Sequence, residues 1–312
     1  MKRIVILGSF LLLLMSCGSD TDAMFEQAAE LEEKGDYQSA YVLMEKAAEI
    51  DPDKVYVVAY KASLLNELGR YGEALSTINA ASVLDPESPD IAFIKGSIFY
   101  QTRQYDSAAY YHNFAVEAGV DGTQRSMAAN NLGSVKSKSG NQVEAINWYK
   151  KALLFDSTNC RALTNWGNAL DEMGKQKEAI TYFEKAIVCD PEALLAYNNL
   201  GFVYQKLGQY ENANKALNKA ISLNPNSALP YSNRAYNKLK LGDLKGAMED
   251  VNTSLELDSQ NSYAYRNRAL IFFAMDDTAS ACTDLATARS YRFAEMYGPE
   301  VDSLLVEFCE AD

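Results

Sequence analysis

The chain has 312 residues, of which 48% are hydrophobic and 23% charged, and its formal net charge is −13. Loss of Lys2 and Arg3 with a cleaved leader would make the charge −15 (−13 − 2). This acidity argues against nucleic acid as a partner, because nucleic-acid binding requires a basic surface. The sequence has one histidine, His112, and lacks a glycine-rich phosphate loop or metal-ligand spacing. An enzyme, a cofactor and a small-molecule substrate are therefore not expected.

The N-terminus is typical of an export signal. Two basic residues precede an apolar stretch over residues 4–15, which is too short to span a bilayer as a mature helix. The sequence LMSC (14–17) follows, and it resembles the lipobox of bacterial lipoprotein signals. The resemblance implies that residues 1–16 are a signal peptide and that the thiol of Cys17 is lipidated. The alternative is an ordinary secretory signal with an incidental cysteine.

Residues 17–22 are predicted to form a short tether between the lipid and the folded chain, so the protein should stay close to a membrane. Because Gly18 rather than an aspartate follows the cysteine, the resemblance implies the outer membrane. The folded part would face either the periplasm or the exterior.

From about residue 21 the sequence repeats every 34 residues, apart from one step of 37. Small residues recur at fixed points of each repeat, which allows two helices to approach closely. One column of them is Ala40, Ala74, Ala108, Ala145, Ala179, Ala213, Ala247 and Ala281.

Each repeat carries the pattern of two helices. In one repeat, Tyr197, Leu200, Gly201 and Tyr204 form a helical stripe, and Gly208 follows where a helix would end. Residues 21–295 therefore resemble the tetratricopeptide-repeat family. The resemblance implies an all-α, right-handed solenoid superhelix of about eight repeats. These are predicted to start near Thr21, Val55, Pro89, Ser126, Cys160, Leu194, Ala228 and Ser262.

The step of 37 residues adds three residues around 119–122, between repeats three and four. It predicts a local change in superhelix pitch, with repeats one to three over residues 23–125 and repeats four to eight over 126–295. Residues 296–312 carry one more apolar stripe and are predicted to form a capping helix, because an end repeat would otherwise expose a hydrophobic face.

One column of the repeats holds five asparagines, and an amide can both donate to and accept from an extended peptide backbone. The column resembles the asparagine ladder of superhelical tetratricopeptide proteins, such as the repeat region of the O-linked N-acetylglucosamine transferases. Asparagine is also the commonest residue at this position in the family, so a peptide-binding ladder and a family default both remain open. The predicted groove consists of Asn131, Asn165, Asn199, Asn233 and Asn267 with Asn130, Asn168, Asn198, Phe202 and Tyr236.

The groove columns largely lack the lysines and arginines of the dicarboxylate clamp found in chaperone-binding relatives, so a C-terminal acidic motif is not the expected ligand. In repeats one to three the ladder column reads Glu26, Tyr60 and Ile94, with Tyr56 and Phe93 nearby. These aromatics either line an apolar groove or pack between repeats.

Two arginines are each followed sixteen residues later by an aspartate, and these pairs, Arg234 with Asp250 and Arg268 with Asp284, are predicted to be ion pairs within a repeat. Ligand-binding arginines are the alternative. Cys160 and Cys189 lie at the two ends of one helical hairpin. They either form a disulfide or are two independent small apolar residues.

These patterns favour a membrane-anchored scaffold that binds a protein or extended peptide of the bacterial cell envelope in its concave groove. The alternative is a structural subunit or assembly factor of an envelope complex that uses its convex face or edges. The sequence identifies neither the partner nor the oligomeric state.

Overall fold

The computed structural model describes residues 20–119 and 121–309, and this part of the chain is all-α. Cys17 lies outside the described residues, whereas helix already begins at Asp20, within the segment predicted as tether. The helices are α1 (Asp20–Glu33), α2 (Tyr37–Ile50), α3 (Val55–Glu67), α4 (Tyr71–Leu84), α5 (Pro89–Gln101), α6 (Tyr105–Ala118), α7 (Gly122–Lys138), α8 (Gln142–Phe155), α9 (Cys160–Glu172), α10 (Gln176–Cys189), α11 (Leu194–Lys206), α12 (Tyr210–Leu223), α13 (Ala228–Lys240), α14 (Leu244–Leu257), α15 (Ser262–Ala274), α16 (Thr278–Ser290), α17 (Phe293–Tyr297) and α18 (Glu300–Phe308).

Helices α1 to α8 form four consecutive packed pairs in the first part of the chain, and α11 to α16 form three more, which confirms the predicted helical-repeat fold. Odd-numbered helices are the first, and even-numbered helices the second, of each repeat. Small residues set the distance between paired helices. A Cβ atom added at Gly201 of α11 would lie 2.7 Å from the side chain of Leu217 on α12. Glycine therefore permits a close approach that any other residue would prevent.

The chain divides into two compact units, one ending at Met173 and the other beginning at Gly174. In the first unit the first helices of successive repeats contact one another, α3 with α5, α5 with α7 and α7 with α9. In the second unit α11 contacts α13, and α13 contacts α15. The first helices thus form one wall of each unit, and the second helices pack behind it.

The three extra residues of the long step are taken up by α7, which has 17 residues where α5 and α9 have 13. Gly122 begins this longer helix, and a Cβ there would lie 2.6 Å from the carbonyl oxygen of Phe155. A single buried cluster runs from Phe93 through Tyr149 to Ala169, so the core is continuous across the insertion. The division between compact units lies within repeat five instead, and the expected change of pitch stays a prediction.

The C-terminal cap consists of two helices rather than one. Gly298, with φ of 93°, separates the short α17 from α18. Val301 and Leu305 of α18 are buried against the last repeat, as the apolar stripe predicts. A disulfide between Cys282 of α16 and Cys309, with the Cα atoms 5.6 Å apart, links the cap to that repeat. Residue spacing did not predict this bridge, because Cys309 lies outside the repeats.

Candidate functional site

The wall of first helices is concave in the second unit. The amide nitrogen Nε2 of Gln205 on α11 donates to the hydroxyl of Tyr263 on α15, at 3.2 Å. These two helices are two repeats apart, with α13 between them. Side chains across that span can meet only if the wall curves inward, so α11, α13 and α15 surround a groove.

In the first unit, the asparagine column forms a relay of hydrogen bonds between repeats. Asn165 donates from Nδ2 to Oδ1 of Asn130 in the preceding repeat, at 2.9 Å. Asn130 donates in turn to Oδ1 of its neighbour Asn131, at 3.3 Å. Asn130 is buried, whereas Asn131 and Asn165 are half-buried. The relay orients the Asn165 amide so that its oxygen accepts no hydrogen bond from the described residues and can serve a ligand.

The second unit repeats the relay. Asn233 donates to Asn198 at 3.2 Å, and Asn198 donates to Asn199 at 3.3 Å. Asn198 and Asn233 are largely buried, and Asn199 is half-buried. The N–H donor of Asn233, like that of Asn165, is therefore used in a hydrogen bond to the preceding repeat.

Asn267, predicted to line the groove, is not accessible to a ligand. It is 0% exposed, donates to the backbone oxygen of Ser232 at 2.9 Å and accepts from Arg266 at 2.8 Å. Its amide thus has internal partners on both sides. The ladder position is structural in repeat eight and remains open to a ligand at Asn131 and Asn165.

The remaining predicted groove residues, Asn168, Phe202 and Tyr236, are half-buried on the first helices. A lysine one turn further along lies over each aromatic ring. Nζ of Lys206 is 4.7 Å from the ring centre of Phe202, and Nζ of Lys240 is 5.2 Å from that of Tyr236. Neither lysine was predicted to be near the groove, because both lie outside the columns of the asparagine ladder.

The C-terminal end of the groove is filled by the protein's own side chains. Arg266 is 7% exposed and lies between two rings, 5.0 Å from Tyr236 and 5.7 Å from Tyr263. Its guanidinium forms an ion pair with Glu300, at the start of α18. The signal was an arginine in a column that holds asparagine, threonine or serine in repeats four to seven. The Glu300 partner could not be predicted, because it lies outside the repeats.

Family models of the tetratricopeptide repeat match residues 31–98, 128–159 and 195–227, and a model described as TPR repeat matches residues 167–208. The chain carries tetratricopeptide repeats. Such repeats are protein-interaction scaffolds. In this chain, the first helices α11, α13 and α15 form the concave wall described above. No curated protein matches the sequence significantly.

Solved structures share the tetratricopeptide-repeat fold. The crystal structure of the APC/C hetero-tetramer Cut9–Hcn1 is similar over 92% of this chain, with a TM-score of 0.71 and 18% identity. This chain spans only 57% of that one. Pseudomonas aeruginosa pilF is similar over 71% of this chain and 98% of its own, with a TM-score of 0.57 and 21% identity. At such identities the likeness shows the fold alone.

The two predicted ion pairs brace the later tetratricopeptide repeats. Arg234 donates to both carboxylate oxygens of Asp250, at 2.7 and 2.6 Å, and to Asn218 of the preceding second helix, at 2.7 Å. Arg268 binds Asp284 in the same way, at 2.7 and 2.9 Å, and this contact raises the pKa of Arg268. Because both aspartates are buried, the arginines serve the fold rather than a ligand.

The aromatics of the early tetratricopeptide repeats pack between neighbouring repeats. Tyr60 is buried with its ring 4.9 Å from that of Phe25, and its hydroxyl donates to Glu32 at 2.6 Å. Burial, together with the carboxylate, raises the pKa of Tyr60. Phe93 is likewise buried. Of the two interpretations of these residues, the structure therefore favours packing over an apolar groove.

The other candidate chemical groups are structural. His112 is buried, and burial lowers its pKa to about 3. Cys160 and Cys189 are both disulfide-bonded, and the bridge between the two stays a prediction. Over the described ranges, no group of histidine, cysteine, aspartate and glutamate side chains could hold a metal ion.

Proposed function

We propose that this tetratricopeptide-repeat protein is a membrane-anchored adaptor that binds an extended segment of a cell-envelope protein along its first-helix wall. The observation that carries the proposal is the asparagine relay. It fixes the amide of Asn165 through its donor and leaves the oxygen on the first-helix wall of the first unit, with no donor to it among the described residues. A fixed acceptor can bind a backbone N–H of any sequence, which suits an extended peptide.

The anchor is proposed from the lipobox-like sequence at Cys17. Helix α1 begins three residues after it, at Asp20, and three extended residues reach only about 10 Å. Lipidation would therefore hold the first repeat against the membrane surface. No helix in the described ranges is long and apolar enough to cross a bilayer itself.

The anchor is tested with Cys17→Ser. Labelling with a lipid precursor should disappear, and the protein should move from the membrane fraction to the soluble fraction. Membrane association that survives the substitution would contradict the anchor and leave the groove proposal unaffected.

The groove is tested by photo-crosslinking in cells at two positions of the second unit. A crosslinking residue at Phe202 lies on the inner wall, and one at Val188, which is 83% exposed at the end of α10, lies on a second helix. The adaptor proposal expects a discrete adduct from Phe202 and none from Val188. Adducts from Val188 alone would contradict it.

That opposite result would support a second function, a structural subunit of an envelope complex that uses its second helices. The observation in its favour is an exposed apolar residue at the same position of three repeats. These residues are Val83, Leu154 and Val188. Val83 and Leu154 belong to the first unit and Val188 to the second, and a partner bound to the second helices of either unit would shield such side chains from water.

A further inference from the structure

Four repeats carry a lysine or an arginine at the same position of their first helix. In three of these repeats, a second helix supplies a carboxylate to the cation. In repeats seven and eight the carboxylate lies sixteen residues later, as Asp250 does for Arg234. In repeat two it lies sixteen residues earlier, where Glu45 is 3.4 Å from Nζ of Lys61. The four cations are Lys61, Lys95, Arg234 and Arg268.

Lys95, the cation of repeat three, has no such carboxylate. The positions sixteen residues before and after it hold the neutral residues Asn79 on α4 and Tyr111 on α6. The ammonium group lies 5.3 Å from the centre of the Tyr111 ring and forms no ion pair or hydrogen bond with any of the described residues. Lys95 is 9% exposed, and burial lowers its pKa. Because a largely buried charge without a counter-charge is unfavourable, a carboxylate from outside would satisfy a need that the fold leaves unmet.

Helix α5, which carries Lys95, packs against the second helices α4 and α6. Arg234, at the same position of its repeat, contacts both the preceding and the following second helix. Close to Lys95, the ring of Tyr111 stacks on Phe99 with 5.5 Å between ring centres, and it meets the ring of Tyr110 edge-on at 5.1 Å. Tyr110 is 67% exposed, and tyrosine is among the residue types that contribute most to binding at protein interfaces. An exposed ring therefore accompanies a cation that lacks a counter-charge.

We propose that α4 and α6 form a second interaction surface, at which an aspartate or glutamate side chain of a protein partner pairs with Lys95. The flexible four-carbon stem of lysine allows the ammonium group to meet that carboxylate near the surface. A protein carboxylate fits this site better than an anionic membrane does, because such a membrane repels a chain with a net charge of −13. The surface lies on the side of the second helices, so it does not depend on peptide binding along the first-helix wall.

The test is covalent capture of displayed random peptides by the full-length protein with a photoreactive residue at Val83. Val83 is 82% exposed and lies one turn beyond Asn79 on α4, so it samples this surface. Captured peptides should be enriched in aspartate and glutamate over the starting library. A captured acidic peptide should bind Lys95→Met about tenfold more weakly than it binds the wild type, as expected for the loss of one charge-assisted contact.

Two substitutions of asparagine by glutamate separate a local effect from a general effect of charge. Asn79→Glu places a carboxylate sixteen residues before Lys95, as Glu45 stands before Lys61. It should therefore pair with Lys95 within the protein and abolish the acidic enrichment. The matched control is Asn218→Glu, which makes the same change at the equivalent exposed position of α12 and should leave the enrichment as it is in the wild type.

Captured peptides without acidic enrichment, enrichment that survives Lys95→Met, or an equal loss in both glutamate variants would overturn the proposal. Binding to phosphatidylglycerol vesicles that requires Lys95, without capture of acidic peptides, would also overturn it and assign the site to a membrane. Thermal unfolding shows that the variants are folded. Lys95→Met should melt at or above the temperature of the wild type, because it replaces a largely buried charge with an apolar side chain of similar length.

Discussion

The amide of Asn267 is fully buried, where it donates to Ser232 and accepts from Arg266. Asn131, at the same position four repeats earlier, is half-buried and only accepts a hydrogen bond from Asn130. A buried polar group that loses its partner pays its full desolvation penalty, whereas an exposed one exchanges that partner for water. One residue type in one column therefore stabilises the fold at one end and stays open to a ligand at the other.

This difference predicts unequal effects of alanine. Asn267→Ala removes one buried hydrogen-bond partner from the Arg266 guanidinium and one from the Ser232 carbonyl, and should lower the free energy of unfolding by about 2–3 kcal/mol. Asn131→Ala should cost less than about 0.5 kcal/mol, as is usual for a substitution exposed to solvent. Urea unfolding of both variants measures the difference. Equal losses would show that burial does not separate the two roles.

His112 makes the stability depend on pH. Burial lowers its pKa from 6.5 to about 3, so between these values the unfolded chain binds a proton that the folded chain does not. Stability is therefore lost as pH falls below 6.5, by up to about 1.4 kcal/mol per pH unit from this group. Urea unfolding between pH 4 and 7 should show this slope in addition to that of the carboxylates.

The matched variant is His112→Phe, because Phe183 occupies the same position in repeat five, also fully buried. Its stability should fall less steeply with acid than that of the wild type. Parallel curves for the two proteins would mean that His112 is not the group responsible.

At the scale of the helical hairpin, most repeats turn at a glycine in the left-handed region, whereas Arg103 and Asp276 adopt it with φ of 61° and 60°. This conformation is unfavourable for a residue with a Cβ, because the Cβ comes too close to the following carbonyl oxygen. Arg103→Gly and Asp276→Gly should each stabilise the protein by about 0.5–1 kcal/mol after the extra freedom of glycine in the unfolded chain is subtracted. Thermal unfolding checks the gain.

The converse change is Gly208→Ala. A Cβ at Gly208 would meet no atom within 4 Å, so only the backbone conformation, with φ of 71°, opposes it. This variant should lose about 1 kcal/mol. A neutral result there, with no gain at Arg103 or Asp276, would remove the conformational explanation.

The repeat pattern predicted these hairpins because the residues that form each hairpin lie within one repeat of the sequence. Starts at Val55, Pro89 and Leu194 follow directly from small residues and turn signals spaced at 34 residues. The start of α7 at Gly122 did not follow, because the inserted residues could have lengthened either the loop or the helix. The inserted residues extend the helix because Gly122 packs closely against the carbonyl group of Phe155. A local sequence pattern cannot predict this contact, because the two residues are far apart in the chain.

Contacts between distant repeats were less predictable than the hairpins. The sixteen-residue spacing of Arg234 and Asp250 lies within one hairpin, and it pointed to their contact. The bond from Gln205 to Tyr263 depends on the curvature of the wall over three helices, which residue spacing does not encode. The same holds for Arg266 and Glu300, and these side chains determine which part of the groove is open.

At the scale of the whole molecule, the protein consists of repeats that contact mainly their neighbours, grouped in two compact units. In such an array stability is close to a sum of local terms, so a defect at one end should not spread to the other. The cap at the C-terminal end provides a test, because Leu305 of α18 is buried in a cluster confined to α15–α18.

Leu305→Ala should remove about 3 kcal/mol from the local stability of the last repeat, through lost burial and the cavity left behind. Hydrogen exchange should then accelerate at the backbone amides of α15, α16 and α18, while α1 to α9 keep the rates of the wild type. Leu64→Ala, a fully buried leucine of α3, is the matched control and should produce the reverse pattern. Uniform acceleration along the chain in both variants would show that the protein unfolds as one cooperative unit instead.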